Sequence, residues 1–167
     1  KAIDIWSRSY TYDAERFDCI ATLMNYFYNR GNHLLVNSLY TKHSKLINET
    51  TNLNLNRNLE SKLFLDIEAI HNFDYYNSIS AFYVGDLKGG YESCKRLLIN
   101  KKYLGISVKN MKFYIEQLKE DKDNMELFTA VEDIRTLILT EAISTNQIHF
   151  QDVEEIWTII FESLNIK

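Results

Sequence analysis

The sequence predicts an all-α protein built from stacked antiparallel helical hairpins, an irregular α-solenoid of about seven helices. Three observations lead to this fold class. Apolar residues recur every three or four positions along most of the 167 residues, which is the spacing of one helix face. The chain contains no proline, whereas loop-rich β-sandwiches depend on glycine and proline turns. Hydrophobic residues make up 46% of the chain, which excludes a disordered protein.

The first hairpin is predicted over residues 13–47. Its first helix begins after a candidate N-cap, Asp13, and carries apolar side chains at helical spacing. Gly31 suits the left-handed backbone position that commonly ends a helix, and a second amphipathic helix follows it. Residues 48–58 are polar and rich in asparagine, so we predict that they form a loop.

The second hairpin, together with the helix after it, is predicted over residues 59–118. The apolar pattern of residues 59–84 is too long for one ordinary helix, so we predict a break near residues 71–74. Gly85 stops this pattern and a new helical pattern begins two residues later. We predict that Ser107 then caps the helix that closes this segment.

Residues 123–167 are predicted to form acidic C-terminal helices. Residues 120–167 contain eleven acidic and three basic residues, a net charge of −8, so residues 1–119 carry +4. The two parts have opposite charge and could attract each other within one molecule or bind different partners. The alternative is that both are ordinary solvated helix faces. The total charge of −4 gives no reason to expect a nucleic-acid partner.

The cysteines indicate a reducing environment. Cys19 and Cys94 lie among apolar residues without a metal-binding spacing, so we predict reduced core thiols and a cytoplasmic location. No apolar run approaches the ~18 residues that a membrane span requires, and we expect no membrane partner. The sequence begins with Lys1 rather than methionine, so we expect it to be a piece of a longer protein.

Three motifs that could bind a metal or a phosphate have simpler explanations. Residues 121–123 read Asp-Lys-Asp, but they lie between two predicted helices, where a solvated junction is the better interpretation. Glycine-rich residues 85–90 lack the Gly-Lys-Ser/Thr of a phosphate loop, so we interpret them as a tight turn and a helix contact. The histidines are scattered in the sequence: His33, His43, His71 and His149. We therefore expect no metal, no cofactor and no catalytic residue.

The two predicted hairpins share a joint. Residues 26–31 and 81–85 each place aromatic side chains before a glycine. Five positions after each glycine comes a side chain of modest size or none, Val36 or Gly90. Such a residue allows antiparallel helices to approach closely while neighbouring aromatic rings fill the groove.

This joint resembles a tetratricopeptide-type hairpin. It is more closely similar to the tetratricopeptide-like α-helical region that follows the catalytic domain in many family 2 glycosyltransferases. The residues that carry the resemblance are 79–86 (ISAFYVGD), 90–98 (GYESCKRLL) and 110–114 (NMKFY). The similarity covers residues 16–118, and the bias toward Asn, Ile and Lys resembles that of proteins from giant DNA viruses with AT-rich genomes.

The resemblance implies a non-catalytic module for protein interaction and positioning in a glycosyltransferase-like protein. It would bind a polypeptide, or its own catalytic domain, through a concave face. By analogy with stacked hairpins, five side chains are expected to project there: Met24, Tyr28, Tyr75, Ser78 and Phe82. The alternative is a free-standing helical adaptor or oligomerisation domain, in which the acidic C-terminal helices meet the basic segment of a neighbouring molecule.

Overall fold

A computed structural model describes residues 2–13, 17–52, 67–100 and 102–118, together with residues 154 and 158. These residues form helices and turns without a strand, which confirms the predicted all-α class for this part of the chain. The four described ranges contain six helices: α1 (Ala2–Tyr12), α2 (Phe17–Tyr28), α3 (His33–Asn52), α4 (Ile67–Val84), α5 (Leu87–Ile99) and α6 (Leu104–Leu118). The chain divides into two compact units, Lys1–Val84 and Gly85–Lys167, here called unit 1 and unit 2.

Unit 1 is built around α2, which packs against α1, α3 and α4, while α3 also packs against α4. Its core combines aliphatic, sulfur-containing and aromatic side chains: Ile20, Ala21, Met24, Val36, Tyr40 and Phe73. Helix α1 is attached to this core by polar contacts as well. The Tyr10 hydroxyl lies 2.9 Å from Nε2 of the buried His43, and the Cys19 thiol donates to the Ser9 hydroxyl.

Three polar side-chain pairs cross between α3 and α4. They are His33 Nδ1 with Ser80 Oγ at 3.0 Å, Asn37 Nδ2 donating to Asn77 Oδ1 at 3.1 Å, and the Tyr40 hydroxyl donating to Asp74 Oδ1 at 2.6 Å. The three partners on α4 are all buried. Buried polar groups are costly unless they form hydrogen bonds, so these pairs allow polar side chains to occupy a helix interface.

In unit 2, α5 packs against α6, and the glycines of residues 85–90 explain how. Gly85 has φ +77° after the end of α4. The Asp86 carboxylate then accepts a hydrogen bond from the Gly89 N–H and caps α5. A Cβ atom on Gly90 would overlap the buried ring of Tyr114 from α6. The predicted tight turn and helix contact are therefore confirmed, and the aromatic ring in contact with Gly90 comes from the helix that follows α5.

Several predicted boundaries were wrong. Helix α1 was not predicted, and α3 continues to Asn52, through the first five residues of the predicted loop. Low helix propensity costs only a few tenths of a kcal/mol per residue, so an asparagine-rich segment can extend a helix that is already formed. Helix α4 runs through residues 71–74 without the predicted break.

The start of α6 also differs from the prediction. The helix begins at Leu104 rather than after Ser107, and the Ser107 hydroxyl donates to the carbonyl of Tyr103 within the first turn. Ser107 is fully buried, so its hydroxyl satisfies a backbone carbonyl instead of capping N–H groups. Tyr103, at φ +49°, provides the change of backbone direction before the helix.

The predicted burial of the cysteines is confirmed, because Cys19 and Cys94 both lie in the interior, and neither belongs to a disulfide. Within the described ranges, no helix has the length and apolar character needed to cross a lipid bilayer. The predicted helices of residues 123–167 lie outside the described residues, apart from the two single positions given above, as does the Asp-Lys-Asp motif.

Candidate binding surface

The most distinctive surface of unit 1 lies where α2 ends and α3 begins. Gly31, at φ +67°, accepts the left-handed conformation that closes α2, which confirms its predicted role. The Asn32 N–H donates to the carbonyl of Phe27, and the Asn32 side chain accepts from the Leu35 N–H at the start of α3. This short turn places Tyr28 at the end of α2 next to His33 at the start of α3, with ring centroids 6.3 Å apart.

Helix α4 adds four more rings to this pair. The six side chains, here called the aromatic strip, are Tyr28, His33, Tyr75, Tyr76, Phe82 and Tyr83. Tyr28 contacts the Tyr76 ring at 5.0 Å and the Tyr75 ring at 6.1 Å between centroids. His33 stacks on Tyr83 at 4.2 Å with an interplanar angle of 14°. Phe82 meets Tyr83 edge to face at 5.9 Å, so the six rings form one continuous series of contacts.

The strip is accessible to solvent, most of all at the C-terminal end of α4. Tyr83 is 66% exposed and Phe82 is 43% exposed, whereas the other four rings are half-buried. Covering the exposed face of a large aromatic side chain removes apolar surface from water, which lowers the free energy of the complex. A bound ligand would therefore gain the most hydrophobic stabilisation by covering Phe82 and Tyr83.

The environment of Tyr28, at the half-buried end of the strip, favours its neutral phenol. Burial raises the pKa of Tyr28 from 10.0 to about 12, with further contributions from the neighbouring charge of Tyr75 and a hydrogen bond to Tyr75. At neutral pH the Tyr28 hydroxyl is therefore protonated and able to donate a hydrogen bond. Beside the strip, the Arg30 guanidinium lies 3.6 Å from the centroid of the Tyr26 ring, in a cation–π contact.

The five side chains predicted to bind a ligand occupy two different environments. Tyr28, Tyr75 and Phe82 belong to the aromatic strip. Met24 is fully buried in the core of unit 1, and Ser78 is 1% exposed with its hydroxyl donating to the Tyr75 carbonyl. Met24 and Ser78 therefore support the surface from inside, and the ligand-binding role assigned to the five side chains stays a prediction.

Three members of the strip, His33, Tyr76 and Tyr83, were not predicted as site residues, although the sequence contained a signal for each. His33 follows Gly31 by only two residues, so a short turn had to bring it near the aromatic end of α2. Tyr83 and Tyr76 are seven residues apart, about two helical turns, so both lie on the same side of α4. An aromatic pattern on a helix usually indicates core packing, which is why exposure could not be assigned before the structure was known.

The chain matches no protein-family model, no curated protein and no solved structure. The association with family 2 glycosyltransferases consequently rests on the residues quoted from the sequence and stays a prediction. Among the described residues, no group of three or more His, Cys, Asp or Glu side chains could hold a metal ion. The chemistry that the described surface offers is ring stacking together with hydrogen bonding by phenol and imidazole groups.

Proposed function

We propose that this chain is a non-catalytic protein-interaction and positioning module of a glycosyltransferase-like protein, and that it binds a polypeptide through the aromatic strip. The observation that carries the proposal is the exposure of Phe82 and Tyr83 at the end of a continuous series of ring contacts. Tyrosine is enriched at protein interfaces because its ring is apolar and its hydroxyl forms hydrogen bonds. The glycosyltransferase association is supported by the sequence resemblance of residues 16–118.

A peptide library tests the binding role. The full chain is immobilised and exposed to a library of displayed random peptides. The affinity of each enriched peptide is then measured for the wild-type chain and for its variants. Phe82→Ala combined with Tyr83→Ala is expected to weaken their binding at least about tenfold, since such anchors typically carry much of an interface's free energy. Tyr12→Ala is the matched control, because Tyr12 is 92% exposed and lies outside the strip.

Two results would contradict this proposal. The first is the absence of any enriched peptide, and the second is binding that the double substitution leaves unchanged while circular dichroism shows an intact fold.

The non-catalytic part of the proposal is tested by incubating the chain with nucleotide-sugars, where we expect no turnover. The attachment to a glycosyltransferase is tested on the full coding sequence, where an α/β domain with a strand-terminal Asp-x-Asp motif is expected upstream.

The charge distribution favours a second candidate, a free-standing adaptor or oligomerisation domain. Residues 120–167 carry −8 and residues 1–119 carry +4, so two molecules could pair these segments. Such an association weakens as salt screens the charges, because the Debye length falls from about 10 Å at 0.1 M to about 3 Å at 1 M. The molecular mass in solution, measured at both salt concentrations, gives the oligomeric state. A dimer that dissociates at high salt supports this candidate, whereas a monomer at both concentrations contradicts it.

A further inference from the structure

A second exposed surface lies in unit 2, on the side of α6 opposite its buried residues. Ile106, Lys109, Phe113 and Gln117 are three or four positions apart, so they share one side of the helix. All four are exposed, and they are here called the α6 face. Its two apolar side chains are large, with Ile106 at 42% and Phe113 at 50% exposure. A partner that covered the α6 face would remove this apolar surface from water.

The α6 face lies in a basic part of the chain. Residues 86–119 contain eight lysine or arginine residues and three acidic ones, a net charge of +5. Lys109 is three positions after Ile106 and four before Phe113, so a cation lies between the two apolar side chains. This arrangement is complementary to a helix that carries carboxylates along the borders of an apolar stripe. The partner that matches the α6 face is therefore an acidic amphipathic helix.

The sequence of residues 152–164 has that pattern. This segment contains four acidic residues and no basic one, and apolar side chains recur at positions 153, 156, 157, 160 and 164. At 3.6 residues per turn, Asp152 and Glu154 lie along the two borders of this stripe. Glu154 is helical and exposed, and the Thr158 hydroxyl donates to its carbonyl at 2.9 Å, across one helical turn. The segment therefore offers a carboxylate to an approaching molecule.

The α6 face is accessible in the molecule that contains both surfaces. Gly85–Lys167 form one compact unit, in which Ile106 and Phe113 stay exposed. In a two-fold dimer the contact forms twice, because the α6 face of each copy meets the acidic segment of the other. We propose that the α6 face binds residues 152–164 of a second copy of this chain, with Lys109 beside Glu154. This inference rests on the second candidate function, because it names the surfaces through which the chain associates.

Sedimentation equilibrium of the full chain at about 0.1 M salt tests the inference, because it gives the dissociation constant of the dimer. Phe113→Ala is expected to weaken dimerisation at least about tenfold, since an aromatic contact is lost twice. Lys109→Glu is expected to weaken it at least about fivefold, since like charges then face each other. The matched control is Lys88→Glu, which makes the same change of net charge at an exposed position of α5 and is expected to weaken dimerisation about twofold at most.

A charge exchange locates the contact. Glu154→Lys alone is expected to weaken dimerisation about as much as Lys109→Glu does, since it places two cations together. Lys109→Glu combined with Glu154→Lys restores opposite charges across the contact and is expected to recover most of the affinity. Lys88→Glu combined with Glu154→Lys is not expected to recover it. Circular dichroism and urea denaturation of every variant separate lost contacts from lost folding.

The outcomes distinguish this inference from the second candidate function. A salt-sensitive dimer that Phe113→Ala and Lys109→Glu leave unchanged overturns the inference and still supports that candidate. The inference is also wrong if Lys109→Glu with Glu154→Lys dimerises no better than either single variant. A monomer at about 0.1 M salt contradicts both. If Lys109→Glu destabilises that monomer in urea and Glu154→Lys restores its stability, the α6 face is occupied by the acidic segment of the same molecule.

Discussion

Asp74 is a carboxylate in the interior of unit 1, with an exposed fraction of 1%. It accepts a hydrogen bond of 2.6 Å from the Tyr40 hydroxyl, which itself lies in the core. A polar group is expensive to bury unless it is hydrogen-bonded. The Tyr40 hydroxyl therefore contributes to stability through this bond as well as through packing of its ring.

Removal of that hydroxyl tests its contribution. Tyr40→Phe keeps the ring in place and takes one donor away from Asp74, and we expect the free energy of unfolding to fall by about 1–3 kcal/mol. Urea denaturation followed by circular dichroism measures the change. Tyr12→Phe removes a hydroxyl from an exposed ring and serves as the control. Equal stability of the two variants would show that the Tyr40 bond contributes nothing.

Tyr28 gives a pH-dependent prediction. Its pKa is raised from 10.0 to about 12 in the folded chain, so the unfolded chain loses this proton at lower pH than the folded chain does. The stabilising contribution is complete below pH 10.0, and it is lost as the pH rises through the folded-state pKa of about 12. Urea denaturation between these values is expected to show a steeper loss of stability for the wild type than for Tyr28→Phe. Parallel curves for the two proteins would contradict the pKa shift.

At the scale of helices, two glycines at helix boundaries differ in what they contribute. Position 85 requires glycine for its backbone conformation, because φ is +77°. Lack of space is not the reason, since no atom lies within 4 Å of the point that a Cβ atom would occupy. Gly90 is needed for space, because Tyr114 occupies the position that its Cβ would take. At Gly85 the requirement concerns the backbone conformational energy of that residue. At Gly90 it concerns the distance between α5 and α6.

Substitutions distinguish the two requirements. Gly85→Ala is expected to destabilise the chain by about 1 kcal/mol, and Gly85→Asn by less, since asparagine tolerates the left-handed conformation. Gly90→Ala is expected to cost about 1–3 kcal/mol through overpacking against the buried Tyr114, despite the higher helix propensity of alanine. Thermal unfolding measures all three, with Lys88→Ala on the exposed side of α5 as the control. A stabilised Gly90→Ala variant would mean that the Tyr114 ring moves freely.

The sequence predicted most of the helices, because apolar spacing and glycine at helix ends are local signals. The roles of Gly31 and of residues 85–90 could be predicted for this reason. Boundaries that depend on tertiary packing could not, such as the continuation of α3 to Asn52 and the unbroken α4. The candidate surface was predicted in part: the analogy with stacked hairpins named Tyr28, Tyr75 and Phe82 together with Met24. Helical spacing alone could not show that Met24 is buried and Phe82 is exposed.

At the scale of the whole molecule, the two units allow the chain to be divided. The core cluster of unit 1 takes all its members from α2, α3 and α4, with α1 contributing Tyr10 at its edge. We therefore expect a fragment of residues 1–86 to fold and to unfold cooperatively in urea. The measurement is far-ultraviolet circular dichroism, together with binding of the peptides selected by the full chain. A helical fragment without a cooperative transition would indicate that unit 1 requires unit 2 for its packing.

The polar pairs between α3 and α4 also determine how these helices are aligned along their axes. His33, Asn37 and Tyr40 meet Ser80, Asn77 and Asp74 in antiparallel order. A slip of one turn would place Tyr40 opposite Asn77 and leave the Asp74 carboxylate without that hydroxyl. Purely aliphatic helix faces would tolerate such a slip more easily, as in other interfaces where a polar residue specifies the register. Among related sequences, the two members of each pair are therefore expected to change together.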